Sequence, residues 1–384
     1  MTAEQTLLRT YRAAVIGHTG RGNYGHGIDT ALSLVPGVTT IAVSDPDETG
    51  RAAASVRLGV DHTYAGYREM LAREKPDLVA VCSRHADQHA EMVIAAAESG
   101  ARGIYCEKPF ARTPAEGDQM LIACERRGVK VVVAHRGREN PYLQWVKRLL
   151  QEEIGPLRLL RGHGKGDRRA GAQDTAVLGT HIFDQMRDLA GDAVSASGLV
   201  TRAGRPITPE DVEEGPEGLG PIAGDALHAT CLFKNGVIAS FDSYPVDRPG
   251  ERWFGLDVYG ERGIVTLRDL PRGDVFRYPS GTWIPDAAAG RWERVHLPDW
   301  DLAPDGSART PQQKMTESNR RNALALVLAV ENEGEPQFVS TGRDAVAALE
   351  LVLAPAESQR TGRHVTLPMT QRDNPYLLLR QTAS

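Results

Sequence analysis

Five short apolar runs punctuate the first third of the chain: AAVIG (13–17), TTIAVSD (39–45), DLVAVCS (77–83), RGIYCE (102–107) and VKVVVAH (129–135). Each is apolar almost throughout instead of alternating, as strands covered on both faces are. The stretches between them carry helix signals. At Thr113-Pro114-Ala115-Glu116 an N-cap, a proline for the first helical position and a capping-box acid stand in a row, and Gly128 closes the segment. Strands alternating with helices predict a doubly wound parallel sheet.

From about Gly162 the pattern changes. GDALHATCLFKNGVIASFDSY holds two strand-like runs joined through Lys234-Asn235-Gly236, a hairpin signal, and RWFGLDVYGERGIVTLRDL repeats the design around Gly260 and Gly263. These features predict a large, mostly antiparallel open sheet with helices on one face. The segment 203–224, rich in Gly, Pro and acid, reads as a surface loop. The expected fold class is therefore α/β: an N-terminal doubly wound parallel sheet over 1–135, and a C-terminal α/β domain over 136–384. The last helix, at about 340–358, is expected to pack back toward the first domain. A length of 384 residues agrees, because it exceeds one ordinary core.

Charge narrows the partners. With 45 Lys and Arg against 50 Asp and Glu, the net charge is -5, and no basic excess is available for nucleic acid or an anionic membrane. The N-terminus runs from polar residues into the first strand with no apolar leader core, and no run reaches a membrane span, so a cytoplasmic location is expected. Cys82, Cys106, Cys124 and Cys231 lack metal-ligand spacing and read as reduced core thiols, with no metal expected.

The first strand ends in Gly17-His18-Thr19-Gly20-Arg21-Gly22-Asn23-Tyr24-Gly25, with a helix expected to follow. Such a turn brings backbone amides and the positive end of a helix to a pyrophosphate. Thr19 stands where the second glycine of the usual spacing would be. Asp45, at the tip of the second strand, is placed to accept ribose hydroxyls. No basic residue follows it in Asp45-Pro46-Asp47-Glu48, which favours NAD over NADP. At the end of RGIYC the charged pair Glu107-Lys108 follows a buried strand directly, a costly arrangement unless something there uses the charges.

Glu107-Lys108-Pro109, following a Ser83-Arg84-His85-x-x-x-His89 segment, resembles the signature of the glucose-fructose oxidoreductase, inositol dehydrogenase and rhizopine-catabolism (Gfo/Idh/MocA) family. The glycine loop, Asp45, the Gly179-Thr180-His181-Ile182-Phe183-Asp184 segment and the late LAPAESQRTGRHVTLPM run extend the resemblance over nearly the whole chain. It implies a Rossmann domain that binds NAD through Gly17, His18, Thr19, Gly20, Arg21, Gly22, Asp45, Ser83, Arg84, His85, His89, Glu107 and Lys108. In the family the Lys-Pro bond is often cis, which would aim Lys108 at the substrate. There its ammonium would stabilise the alkoxide of a secondary alcohol about to lose hydride. Glu107 would hold that ammonium or the nicotinamide ribose.

His181 is the expected general base. Sugar and inositol dehydrogenases of the family commonly carry Asp-x-x-x-His, whereas Val177 stands four residues before His181 here. On a regular helix Asp174, His181 and Asp184 share a face, so Asp174 or Asp184 is expected to substitute, or the substrate differs. Candidate substrate contacts are Lys108, Arg136, Lys165, Arg168, Asp174 and His181. The loop arginines read equally as solvated residues.

The function implied is NAD-dependent oxidation of a secondary alcohol on a sugar, cyclic polyol or glycoside, by a homodimer or homotetramer formed through the C-terminal sheet. Two alternatives stand beside it: a glycoside-cleaving enzyme that oxidises transiently and regenerates its cofactor, and a regulatory protein that senses a dinucleotide without turnover.

Overall fold

A computed structural model describes residues 9–246, 254–282 and 291–382; the N-terminal reading of residues 1–8 lies outside them. The chain forms two compact units, the first of residues 1–135, 217–219 and 316–346, the second of 136–216, 220–315 and 347–384.

The first unit is a parallel sheet of β1 (Tyr11–Ile16), β2 (Val38–Ser44), β3 (His62–Tyr64), β4 (Leu78–Val81), β5 (Gly103–Cys106) and β6 (Lys130–Val133). The strand order β3-β2-β1-β4-β5-β6 places the topological switch point between β1 and β4. The five apolar runs all became strands, and β4 and β5 are buried at every residue. β3, an edge strand of three residues with two exposed, has no apolar run to announce it.

Helices α1 (Glu48–Leu58), α2 (Tyr67–Glu74), α3 (His89–Glu98) and α4 (Pro114–Arg126) cover the sheet. Thr113 caps α4 by accepting the Glu116 N–H at 3.1 Å, and Gly128 follows it at φ 67°. Tyr11, Val15, Leu78, Tyr105 and Val132 form the core with Leu326, Val327 and Val330 of the helix Pro311–Glu331. Each such side chain contributes about 1.5–3 kcal/mol on burial.

The helix expected after the glycine loop does not form. Residues 24–31 run as consecutive turns, followed only by a single 3-10 turn, Leu32–Leu34. The cause is local: Gly20, Gly22, Asn23, Gly25 and Gly27 have φ of 82°, 89°, 55°, 64° and 83°, and left-handed residues so closely spaced prevent an i to i-4 ladder. The turns still bury Ile28, Ala31 and Leu32 in the core.

The second unit begins with α5 (Pro141–Glu152), β7 (Leu157–His163) and α6 (Ala172–Asp174). A π-turn, Thr175–Gly179, then leads into α7 (Thr180–Ala190). The sheet adds β8 (Ala193–Arg202), β9 (Arg205–Pro206), β12 (Ala226–Phe233), β13 (Ile238–Ser243), β14 (Gly255–Gly260), β15 (Ile264–Arg268), β16 (Val275–Tyr278), β17 (Glu293–Arg294) and β18 (Val365–Thr366). Its path is β17-β16-β15-β14-β7-β13-β12-β8-β18, with β9 on β8. Among the described residues only the β7 and β13 pair of this sheet is parallel, so the sheet is mixed and mostly antiparallel.

The segment 203–224 is more ordered than its composition suggests. It holds β9 and a small antiparallel pair, β10 (Glu213–Gly215) with β11 (Gly220–Ile222), strands too short for an alternating pattern to reveal. In β12 the buried Leu227, Ala229, Cys231 and Phe233 alternate with the exposed His228, Thr230 and Leu232, so one face of the sheet is open. On the other face lies α7: the Phe183 and Phe241 rings are 4.9 Å apart, and Gly162 has no room for a side chain against Ile182 and Met186. Among the described residues no helix is long and apolar enough to cross a membrane.

Candidate active site

In the first unit the C-terminal ends of β1, β2, β4 and β5 carry the polar residues, the edge at which doubly wound sheets bind ligands. At the switch point the loop after β1 meets the turn after β4. The Ser83 hydroxyl donates to the Arg21 carbonyl at 2.6 Å, and His18 Nδ1 lies 2.9 Å from Gln88 Oε1. Gly22 passes so close that a Cβ there would sit 2.4 Å from the Arg84 amide nitrogen. Arg21 pairs with Asp87. Burial first, and the Arg21 charge second, lower the pKa of His85.

The same loop reaches β5. His26 places both its main-chain N–H, at 3.2 Å, and its Nδ1, at 2.8 Å, on Glu107 Oε1. Glu107 Oε2 accepts the Lys108 N–H at 2.7 Å. A Cβ on Gly25 would stand 2.7 Å from Glu107 Oε1 and 2.8 Å from the Cys82 carbonyl. Asn319 donates to the His26 carbonyl at 3.0 Å and accepts the Tyr105 hydroxyl at 3.3 Å, which pins this corner to the core. Lys108 is buried, and its peptide bond to Pro109 is cis. His26 is a residue that motif reading missed. Its one sequence signal is an imidazole inside the glycine run, 81 residues from its carboxylate partner.

Two expected cofactor residues are engaged by protein groups, and Cys106 is the core thiol that its sequence predicts. His89 is fully buried, with Nδ1 2.8 Å from the Pro109 carbonyl and Nε2 2.6 Å from the Ser83 carbonyl. It braces the two turns, with both nitrogens engaged by main chain. Asp45 is also fully buried. Its carboxylate accepts the Thr19 N–H at 3.1 Å, the Thr19 hydroxyl at 2.7 Å and the Asp47 N–H at 2.9 Å. Thr19, in place of a second glycine, thus folds the loop onto Asp45, and the buried Tyr24 phenol beside it is pushed up by burial and by the Asp45 charge. Cys106 is buried and its thiol is raised well above the usual range by desolvation, an inert core residue.

In the second unit, the π-turn delivers His181 to the first turn of α7. Its Nδ1 accepts the Arg136 main-chain N–H at 3.3 Å. The shared face expected of Asp174, His181 and Asp184 assumed an uninterrupted α-helix, and the π-turn between 174 and 180 breaks that phase. Asp174 Oδ2 instead accepts the Ser243 hydroxyl at 2.7 Å and the Lys165 N–H at 2.8 Å. Desolvation raises the Asp174 pKa. Asp184 takes both its oxygens to the Arg138 guanidinium, at 3.0 and 3.1 Å. The Lys165 side chain and Arg168 are exposed on the 164–171 loop, while Arg136 is buried.

The parallel sheet in 3-2-1-4-5-6 order with a glycine loop at its switch point is a dinucleotide-binding arrangement, and the family models narrow it. The oxidoreductase-family NAD-binding Rossmann domain matches residues 11–135, and the same family's C-terminal α/β domain matches residues 174–367. The chain belongs to the Gfo/Idh/MocA oxidoreductase family.

Among relatives, a D-apiose dehydrogenase of Paraburkholderia graminis is 27% identical over 98% of this chain and 94% of its own length. A myo-inositol 2-dehydrogenase of Thermotoga maritima is 24% identical over 65% of this chain and 74% of its own. A levoglucosan dehydrogenase, solved in complex with NADH and levoglucosan, superposes with a TM-score of 0.70 at 19% identity, covering 94% of this chain and 100% of its own, which establishes the shared fold.

The NAD-binding domain of this Gfo/Idh/MocA chain carries features that suit its cofactor. Gly22 allows the close backbone approach a pyrophosphate needs, and Gly20, at φ 82°, would have no heavy atom within 4 Å of an added Cβ, so the loop is open there. With no helix after the loop, a pyrophosphate would rest on loop amides without a helix dipole behind them.

Proposed function

We propose that the protein oxidises a secondary alcohol of a sugar or cyclic polyol. NAD supplies the hydride acceptor in its nicotinamide ring. Gly17, His18, Gly20, Arg21 and Gly22 would hold the cofactor with Ser83, Arg84 and His85, and Glu107 would serve the nicotinamide half. Asp45 would disfavour a 2'-phosphate through its charge, and His89 would position the turns that bind. The observation that carries the reading is the buried Glu107-Lys108 pair at the end of β5, tied to the glycine loop through His26. Sugar and polyol names among the relatives support the substrate class.

Lys108 and His181 are the groups assigned to the reacting hydroxyl, with Arg136, Lys165 and Arg168 as substrate contacts. Asp174, enclosed by Ser243 and main chain, would act by fixing the 164–171 loop. The open sheet face, with Leu199, Leu232 and Ile238 exposed, would join subunits of a cytoplasmic homodimer or homotetramer.

The test is a panel of aldoses, anhydrosugars and inositols offered with NAD and with NADP, followed at the absorbance of the reduced nicotinamide. Reduction of NAD by at least one member, with NADP slower, is the expected result. A panel without reduction contradicts the reading, and release of an aglycone without net reduction replaces it with glycoside cleavage.

A further inference from the structure

We propose that Thr19 competes with the adenosine ribose of NAD for the Asp45 carboxylate, and so sets how tightly the cofactor is held. The inference rests on the reading of Asp45 as the residue that faces the ribose, and it gives a role to the threonine that stands in the place of a glycine. A carboxylate offers about four lone-pair sites, and protein donors already cover those of Asp45. Oδ1 accepts the Thr19 N–H at 3.1 Å and the Asp47 N–H at 2.9 Å. Oδ2 accepts the same Thr19 N–H at 3.1 Å and the Thr19 hydroxyl at 2.7 Å. Because the residue is fully buried, a ribose hydroxyl reaches this carboxylate only where one of these donors gives way.

Asp45 is not the part that yields. Its N–H donates to the Tyr64 carbonyl at 3.0 Å, and its own carbonyl accepts from Arg51 Nη1 at 2.7 Å. Asp47 is tied down as well, since it caps α1 by accepting the Gly50 N–H at 2.6 Å. Thr19 has no comparable hold. Among the described residues its hydrogen bonds run to Asp45, and the next residue, Gly20, is exposed with no heavy atom within 4 Å of an added Cβ.

Packing shows that the seat of Thr19 is specific. A Cβ on Gly50 would stand 1.9 Å from Thr19 Oγ1 and 2.6 Å from Thr19 Cβ, so the glycine in the first turn of α1 is what lets the hydroxyl down onto Asp45. A glycine at position 19 would offer its N–H alone and leave the last Oδ2 site to a ribose hydroxyl. The threonine fills that site with a charge-assisted bond from its own chain. The apparent dissociation constant of NAD is then the intrinsic one divided by the fraction of molecules in which Thr19 stands clear. Thr19 is in this sense an affinity-determining residue that acts through Asp45.

Calorimetry on the full-length protein tests this without any sugar. Thr19→Ala removes the hydroxyl and should bind NAD about tenfold more tightly, the worth of one hydroxyl-carboxylate bond, while Thr19→Ser keeps the hydroxyl and should stay near the parent. ADP should gain by the same factor in Thr19→Ala, whereas 2',3'-dideoxy-ADP, with no ribose hydroxyl to offer Asp45, should gain nothing. Unchanged or weaker NAD binding in Thr19→Ala, shown folded by circular dichroism, overturns the proposal, because a threonine that only ordered the loop would assist the cofactor. An equal gain for ADP and its dideoxy analogue overturns it as well.

Hydrogen exchange supplies a readout that needs no ligand. The amide of residue 19, held by both Asp45 oxygens, should exchange about tenfold faster in Thr19→Ala once the intrinsic rates of the two residues are allowed for, and equal protection counts against the proposal. A parent protein that binds NAD but oxidises no panel sugar contradicts the functional reading alone. One that binds neither NAD nor ADP overturns the inference drawn for Thr19.

Discussion

Replacing Gly25 with alanine tests the closeness of the glycine loop to the Glu107 carboxylate, and Gly20→Ala supplies its control. Both positions are left-handed, at φ 64° and 82°, and alanine in that region costs about 1–2 kcal/mol. At Gly20 the added methyl meets no heavy atom within 4 Å, so the backbone term is the whole effect. At Gly25 the methyl would lie 2.8 Å from the Cys82 carbonyl and 2.7 Å from Glu107 Oε1. The first sits at the end of a buried strand and the second is held by His26. Relieving such overlap adds about 1–3 kcal/mol, so Gly25→Ala should lose about 2–5 kcal/mol in all.

Native-state hydrogen exchange is the suitable assay, because a two-unit chain need not unfold in one step. The amides of Cys82 and Glu107, bonded to the Ile16 and Val81 carbonyls, should exchange faster in Gly25→Ala by that margin and much less so in Gly20→Ala. Turnover should fall in Gly25→Ala as Glu107 is displaced. Equal exchange and equal turnover in the two variants would refute the close approach.

Three further perturbations probe other parts of the account. In the second unit Lys314 Nζ lies 2.6 Å from Asp301 Oδ1, and Lys314→Met should cost about 3 kcal/mol, the lower part of the range for breaking a buried pair because His296 lies 2.9 Å from the other oxygen. An unchanged urea midpoint by tryptophan fluorescence, read at the adjacent buried Trp300, would count against it. Asp174, raised by burial, holds its proton more tightly in the folded state than the roughly 3.9 of an unfolded aspartate, so its effect on stability is most favourable below that value and declines as pH rises through the folded pKa. Asp174→Asn should remove that decline from urea midpoints taken from about pH 4 to 8, and an identical slope would contradict the assignment. Asp45→Ala should narrow the preference for NAD over NADP measured by calorimetry, whereas a parental ratio would mean that another group reads the ribose.

What was legible in sequence follows from how each residue meets its neighbours. The strands β1, β2, β4, β5 and β6 declared themselves because a parallel strand covered on both faces needs an unbroken apolar run. β3, half exposed at the edge, carries no such constraint. The α4 cap at Thr113 was readable because its partners are three residues apart. His26 and Glu107 meet only through the fold, and nothing local links them.

Two of the departures share one physical origin, the interruption of a regular backbone. Left-handed residues from Gly20 to Gly27 cancelled the helix that the glycine motif promised. The π-turn at 175–179 moved Asp174 out of phase with His181, so a spacing that holds on an α-helix does not hold here. Val177 stands where a carboxylate was looked for, and the His181 Nδ1 instead accepts the Arg136 main-chain N–H at 3.3 Å.

The central claim is that Lys108, buried beside Glu107 at the end of β5, acts on the reacting hydroxyl and not in holding NAD. The direct measurement compares parent and Lys108→Ala for NAD affinity by calorimetry and for turnover of the same sugar. The expected result is an affinity nearly unchanged with turnover reduced by about 100-fold or more. Turnover at the parental rate, or a loss explained wholly by weakened NAD binding, would contradict it.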